Sequence, residues 1–185
     1  MHKTNMKNDF RFSGACESER KVFGSCRPCN GCRDVKMDMV SAWINFMINS
    51  GIGRICCLLE KIQLDYYDFD LIEHYVDKFG FKNVLSEEVK DFTLISREQL
   101  RGRIIPFLKE TEIPVLVHCS GGIGRTGQVL GAWLYIERGY PYEKVLETLR
   151  RSGRNPFEYL KNGNGSKDDY RNLLSEIKNQ GAMNV

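Results

Sequence analysis

No stretch of this 185-residue chain is apolar for long enough to cross a bilayer as a helix. The first residues, Met1 to Arg11, are polar where a secretion signal would carry a hydrophobic segment. A helical membrane protein is therefore excluded, and a soluble, cytoplasmic protein with no membrane partner is the expectation. A surplus of one charge is also lacking: 27 Lys and Arg stand against 24 Asp and Glu, a net +3. That balance gives no reason to expect a nucleic-acid partner. No internal repeat is visible, which excludes a solenoid or propeller. What is present is globular in character, with 42% hydrophobic and 28% charged residues, enough for one domain with a sizeable core. Seven cysteines, an odd number without a secretion signal, point to reduced thiols rather than a disulfide framework.

Residues 1–19 are polar and weakly periodic and read as a lead-in, with 20–185 a single domain. Short β-rich runs predict strands over 21–26, 54–59, 83–86 and 113–117. Helical spacing predicts helices over 37–48, 64–79, 97–110, 128–137, 141–151 and 167–179, with Pro106 a fault inside the third. The Gly- and Asn-containing stretch 152–166 reads as loop. Strands alternating with helices imply an α/β fold, a mainly parallel sheet of about four to five strands flanked by helices. Sites in such sheets gather at the C-terminal ends of strands.

One such end carries His118-Cys119-Ser120-Gly121-Gly122-Ile123-Gly124-Arg125-Thr126-Gly127. A glycine-rich loop between a strand and a helix presents its amides and the helix N-terminus to an anion. A thiol there has its pKa lowered and becomes a nucleophile, while Arg125 offers a planar fork for two oxygens of a phosphoryl group. On position alone Cys119 also fits a packed core thiol. Thr126 is placed to donate to the sulfur, and His118 either tunes the loop or packs at the strand end.

This stretch, His-Cys-five residues-Arg-Thr-Gly, resembles the signature of the cysteine-dependent protein tyrosine phosphatases. Over about residues 20–160, including the opening Val22-Phe23-Gly24-Ser25-Cys26-Arg27-Pro28, the chain is most similar to their small atypical dual-specificity members. The resemblance implies a dual-specificity-phosphatase-like fold and a phosphocysteine intermediate on Cys119, with no cofactor or metal. Ser120, Gly121, Gly122, Ile123 and Gly124 would form the amide cradle, Arg125 the phosphate clamp, and Thr126 would assist hydrolysis of the phosphoenzyme. The family's general acid is an Asp in an Ile-Pro-Asp-Phe-like pattern, matched by Val89-Lys90-Asp91-Phe92, with Lys90 where proline is usual. Asp91 is the candidate acid and Glu88 the weaker alternative. Arg154, in an arginine-rich segment similar to the family's, would support the loop or else lie on a solvated helix end. No glutamine stands where some relatives position the hydrolytic water, which leaves Gln128 a distant candidate.

The partner so implied is a phosphorylated protein or peptide, carrying phosphotyrosine and also phosphoserine or phosphothreonine. Alternatives are a phosphoinositide, an RNA 5′-phosphate, and a phosphate-binding module without turnover. Cys26, Cys29 and Cys32, with Cys16 upstream, have a spacing zinc can use, but a second paired motif is missing. Otherwise they read as incidental or redox-active thiols; if the domain start lies beside the phosphate loop, as in relatives, one of them would form a disulfide with Cys119. Cys56 and Cys57 sit on a buried strand and read as core.

Overall fold

The computed structural model describes residues 10–163 and 165–182. A five-stranded sheet runs in the order β1-β2-β5-β3-β4, from Ser13–Gly14, Val22–Cys26, Val115–Cys119, Arg54–Cys57 and Val84–Ser86. All pairings are parallel except that of β1 with β2. The two central strands are buried on both faces, which is why Val115-Leu116-Val117 and Arg54-Ile55-Cys56-Cys57 read as continuous rather than alternating apolar runs.

Each face has its own core. On one side Val115, Val117, Cys56 and Val22 pack with α5 (Ile105–Lys109), α6 (Gly124–Ile136), α7 (Tyr142–Arg151) and α8 (Lys167–Ala182). On the other, Ile55, Cys57 and Leu116 pack with α1 (Met37–Asn49) and α3 (Leu71–Phe79). Cys56 and Cys57 thus point to opposite cores. Burial pushes both thiols up, Cys57 to about 12. α6 is buried from Gly124 to Leu134, so it is the central helix rather than an amphipathic surface one, and it begins earlier than its apolar periodicity predicts. Gly24 permits its approach to the sheet: a Cβ there would stand 2.8 Å from Thr126, Leu130 and Arg154 side-chain atoms.

Several expectations are corrected. Within the lead-in, Ser13–Gly14 adds an antiparallel edge strand, and Glu19 is buried against Trp133 and Arg138 at 2.8 and 2.9 Å; residues 1–9 lie outside the described residues. The helix expected over 64–79 is two, α2 (Lys61–Leu64) and α3, because Asp70 caps a new start by accepting from Glu73 N. Between them Tyr66 and Tyr67 carry the Arg27 guanidinium on their rings. Over 97–110 the helix continues past Pro106, but in three pieces: α4 (Arg97–Gln99), a π-helical turn over Leu100–Ile104, and α5 with Pro106 in its first turn. Proline has no N–H to give the ladder, and the wider turn and new helix start absorb that absence. Residues 158–162, expected as loop, form a 3-10 turn.

Candidate active site

β5 ends at Cys119 and α6 starts at Gly124, so residues 120–123 form the loop between them. Gly122 takes φ +70, and a Cβ on it would lie 2.6 Å from the Cys26 nitrogen and Ser25 carbonyl. Only glycine meets both demands. Three of the loop's four carbonyls accept from the surrounding shell. Ser120 O accepts from Arg27 N at 3.2 Å, Ile123 O from Asn155 N at 3.3 Å, and Gly122 O from the Arg154 guanidinium. Among the described residues the amides of 120–123 donate to no protein acceptor. These amides lie in sequence between the Cys119 thiol and the N-terminus of a thirteen-residue helix, and a loop of free donors leading into a helix N-terminus is suited to an oxyanion.

Arg125, in the first turn of α6, is 2% exposed. Its NH1 donates to Val89 O at 2.8 Å, Gln63 Oε1 at 2.9 Å and Leu58 O at 3.0 Å. NH2 lies 3.1 Å from Asp91 Oδ1 without hydrogen-bond alignment, and Nε is unpartnered. One nitrogen therefore fixes the guanidinium while the Nε and NH2 edge keeps its donors for a bidentate oxyanion.

Asp91 is thereby brought to the Arg125 guanidinium. Its Oδ2 accepts from Gln63 Nε2 at 3.1 Å, and its own N–H reaches Glu60 Oε1 at 3.4 Å. Glu88 is not placed there: it is exposed, and its carboxylate accepts from Lys61 N at 3.0 Å. Thr126 is buried with its hydroxyl unpartnered. His118 packs edge-on against Trp43 and Tyr75, at 5.4 and 5.7 Å between ring centroids. Burial drives its pKa down to about 3, so it is neutral, and its ring nitrogens lack well-formed partners. Arg154 is buried, not on a solvated helix end, and bridges the loop to β2 and the chain before it through Gly122, Gly24, Ser13 and Arg11. Gln128 does not face the loop as a water ligand. Its amide holds Ile95 N at 2.8 Å and Thr93 O at 3.1 Å, pinning the segment after Asp91.

The four-cysteine metal set is not assembled. Cys29 and Cys32 form a disulfide across a tight turn, Cα atoms 5.5 Å apart, correcting the expectation that all seven thiols are reduced. Cys26 sits in register beside Cys119, and Cys16 lies against Tyr140 at 3.6 Å. No group of three or more metal-ligating side chains occurs among the described residues. Sequence reasoning missed Gln63 and Arg27. Arg27 is 2% exposed and ties Ser120 Oγ (3.4 Å), Pro28 O and Tyr67 Oη together. It lay within the quoted opening pattern, whereas a single glutamine in a polar stretch carries no signal.

A thiol at the C-terminal end of a central parallel strand, a glycine-rich loop leading into a helix N-terminus and a buried arginine define a cysteine-dependent phosphatase of the protein tyrosine and dual-specificity type. The chain belongs to the Tc-R-P family, the DSP-PTPase phosphatases of polymorphic toxin systems, whose model matches residues 32–139. Among curated proteins none matches. Similar solved structures include Tk-PTP in the active form, 25% identical with TM-score 0.57 over 87% of this chain and 93% of that one. P. aeruginosa TpbA is 16% identical with TM-score 0.55 over 88% and 86%. PTPMT1 in complex with PI(5)P is 14% identical with TM-score 0.64 over 92% and 98%.

Proposed function

We propose that the protein hydrolyses phosphate monoesters on phosphorylated proteins, phosphotyrosine first and phosphoserine or phosphothreonine with it, through a phosphocysteine on Cys119. The observation that carries this reading is the buried Arg125, six residues after Cys119 in the first turn of α6, held through NH1 while its Nε and NH2 make no hydrogen bond and Asp91 stands 3.1 Å from NH2. In the first step the Cys119 thiolate forms an S–P bond as the P–O ester bond breaks. Asp91 gives its proton to the departing oxygen, and the loop amides and Arg125 take the charge of the equatorial oxygens. In the second step water attacks phosphorus and Asp91 accepts its proton. The S–P bond breaks, and the Thr126 hydroxyl donates to the departing sulfur. A phosphate that takes the Arg125 fork displaces the Asp91 contact at NH2, leaving the carboxyl beside the ester. Ser120 to Gly124 bind the phosphate, with Arg154 supporting their loop and His118 packing beneath it. The reaction needs no metal or cofactor, and cytoplasm is the compartment the sequence suggests; no helix among the described residues is long and apolar enough to cross a membrane.

A second reading, a phosphoinositide phosphatase, has one support: the likeness to PTPMT1, solved with PI(5)P. No lysine lies between Cys119 and Arg125 to meet a further phosphate. The test is a release assay over phosphotyrosine, phosphoserine and phosphothreonine peptides, phosphoinositides and triphosphate RNA. Turnover on phosphotyrosine peptide should exceed that on the others, and Cys119→Ser should abolish it while phosphate still binds. Asp91→Asn should lower kcat about a hundredfold. Cys119→Ser turnover near that of the wild type would end the mechanism, and preference for a phosphoinositide would replace the substrate.

A further inference from the structure

Gln63 touches both halves of the site. It is 5% exposed in α2, and its Oε1 accepts from Arg125 NH1 at 2.9 Å while its Nε2 donates to Asp91 Oδ2 at 3.1 Å. We propose that Gln63 is a positioning residue that couples the acid to the phosphate clamp, so that one amide sets Asp91 relative to Arg125. This rests on the proposed phosphatase reaction and names a residue for it.

The partners leave no ambiguity about the amide's orientation. Guanidinium nitrogens only donate and a carboxylate only accepts, so oxygen must face Arg125 and nitrogen Asp91. A glutamate here would accept from Arg125 but set two carboxylates against each other. A leucine would leave both partners unserved. The amide also uses NH1, the nitrogen not on the Nε and NH2 edge. When a phosphate occupies that edge and breaks the direct Arg125 to Asp91 contact, the path Arg125 NH1, Gln63, Asp91 survives, and the carboxyl stays tethered beside the ester. α2 is itself laced to the acid segment: Lys61 N donates to Glu88 Oε1 at 3.0 Å and Asp91 N to Glu60 Oε1 at 3.4 Å. The anchor therefore moves with the acid loop rather than independently of it.

The experiment uses the full chain with phenyl phosphate, whose leaving group needs a proton, and a dinitrophenyl phosphate, whose leaving group does not. Inorganic phosphate is the competitive probe of the clamp. Gln63→Glu keeps the acceptor for Arg125, so the inhibition constant for phosphate should stay within about threefold. Its kcat/KM, which reports the first step alone, should fall by roughly ten- to a hundredfold on phenyl phosphate and by less than about threefold on the dinitrophenyl ester. Gln63→Leu should show the same leaving-group dependence and, in addition, weaken phosphate about tenfold. Adding Gln63→Glu to Asp91→Asn should change phenyl phosphate turnover by less than about twofold. Equal losses on both esters, or additive effects with Asp91→Asn, would mark Gln63 as merely structural and overturn the proposal. A wild-type chain that hydrolyses neither ester sinks the phosphatase reading and this inference with it; an active wild type with unaltered Gln63→Glu sinks the inference alone.

Discussion

Removing Arg154 is the sharpest test of how the phosphate loop is held. Its guanidinium is 4% exposed and makes four hydrogen bonds, to Gly122 O, Gly24 O, Ser13 Oγ and Arg11 O. Burial lowers its pKa to about 10, which leaves it cationic at neutral pH. A charge-assisted hydrogen bond contributes about 1.5–3 kcal/mol, but four bonds on one group are not additive and water refills part of the space. Arg154→Ala strands three carbonyls inside the protein, so a net loss of about 3–5 kcal/mol is expected, against a total of roughly 5–15 for a domain. With a urea slope of about 2 kcal/mol per M, the midpoint should fall by about 2 M. Arg154→Lys keeps charge but not the fork, and should lose about half as much. Since the lysine cannot serve Gly122, Gly24 and Ser13 together, its kcat/KM on an aryl phosphate should drop more than about tenfold in protein that is still folded. An Arg154→Ala variant within about 1 kcal/mol of wild type and fully active would refute the reasoning.

Acid should destabilise the protein in two stages. His118, held down to about 3 by burial, withdraws stability as pH falls below its ordinary 6.5. Glu19 is held at about 2 by its bonds to Arg138 and Trp133 against the opposing effect of burial. Its contribution of roughly 3 kcal/mol is complete above the ordinary carboxylate value and disappears as pH falls toward 2. Denaturation midpoints of Glu19→Gln from pH 7 to 3 should show a flattened lower stage. Gln128→Leu leaves Ile95 N and Thr93 O unserved; it should lose about 1–3 kcal/mol and expose 91–95 to limited proteolysis. Reducing the Cys29–Cys32 disulfide closes off no long loop, so a urea midpoint shift equivalent to more than about 2 kcal/mol would contradict the chain-entropy estimate.

The sheet was legible because its central strands are continuous apolar runs, and the phosphate loop because a thiol, glycines and an arginine at fixed spacing have few other uses. What escaped was written in tertiary contact rather than local pattern. Glu19 looks like a polar lead-in residue; its role exists only because Trp133 and Arg138 on and after α6 come to meet it. Gln128 is a distant candidate for the hydrolytic water on sequence, but its partners belong to a segment over thirty residues earlier in the chain. The split of the predicted 64–79 helix has a local part, the cap at Asp70, and a tertiary part, the Arg27 guanidinium on the rings of Tyr66 and Tyr67 between the two helices.

Lys90 raised the question of what stiffens an acid loop that lacks the usual proline ring. A proline works by fixing one φ and lowering the entropy of the open loop. Here hydrogen bonds do that work around the whole segment. Glu88 O accepts from Gln99 at 2.7 Å, Val89 O from Arg125 at 2.8 Å and Lys90 O from the Thr93 hydroxyl at 2.7 Å, while Gln128 holds Thr93 and Ile95. Phe92 takes φ +53, unfavourable for an aromatic residue, in the middle of these bonds. A backbone held in that region implies that its surroundings over-determine it. The positions are therefore set from both flanks of Asp91, and substitution of Lys90 by proline should add little to kcat: the ring would restrict a segment that Arg125, Gln128 and Thr93 already restrict. A large gain on Lys90→Pro would show instead that these bonds yield when substrate binds, and that the closed arrangement is one state of a moving loop.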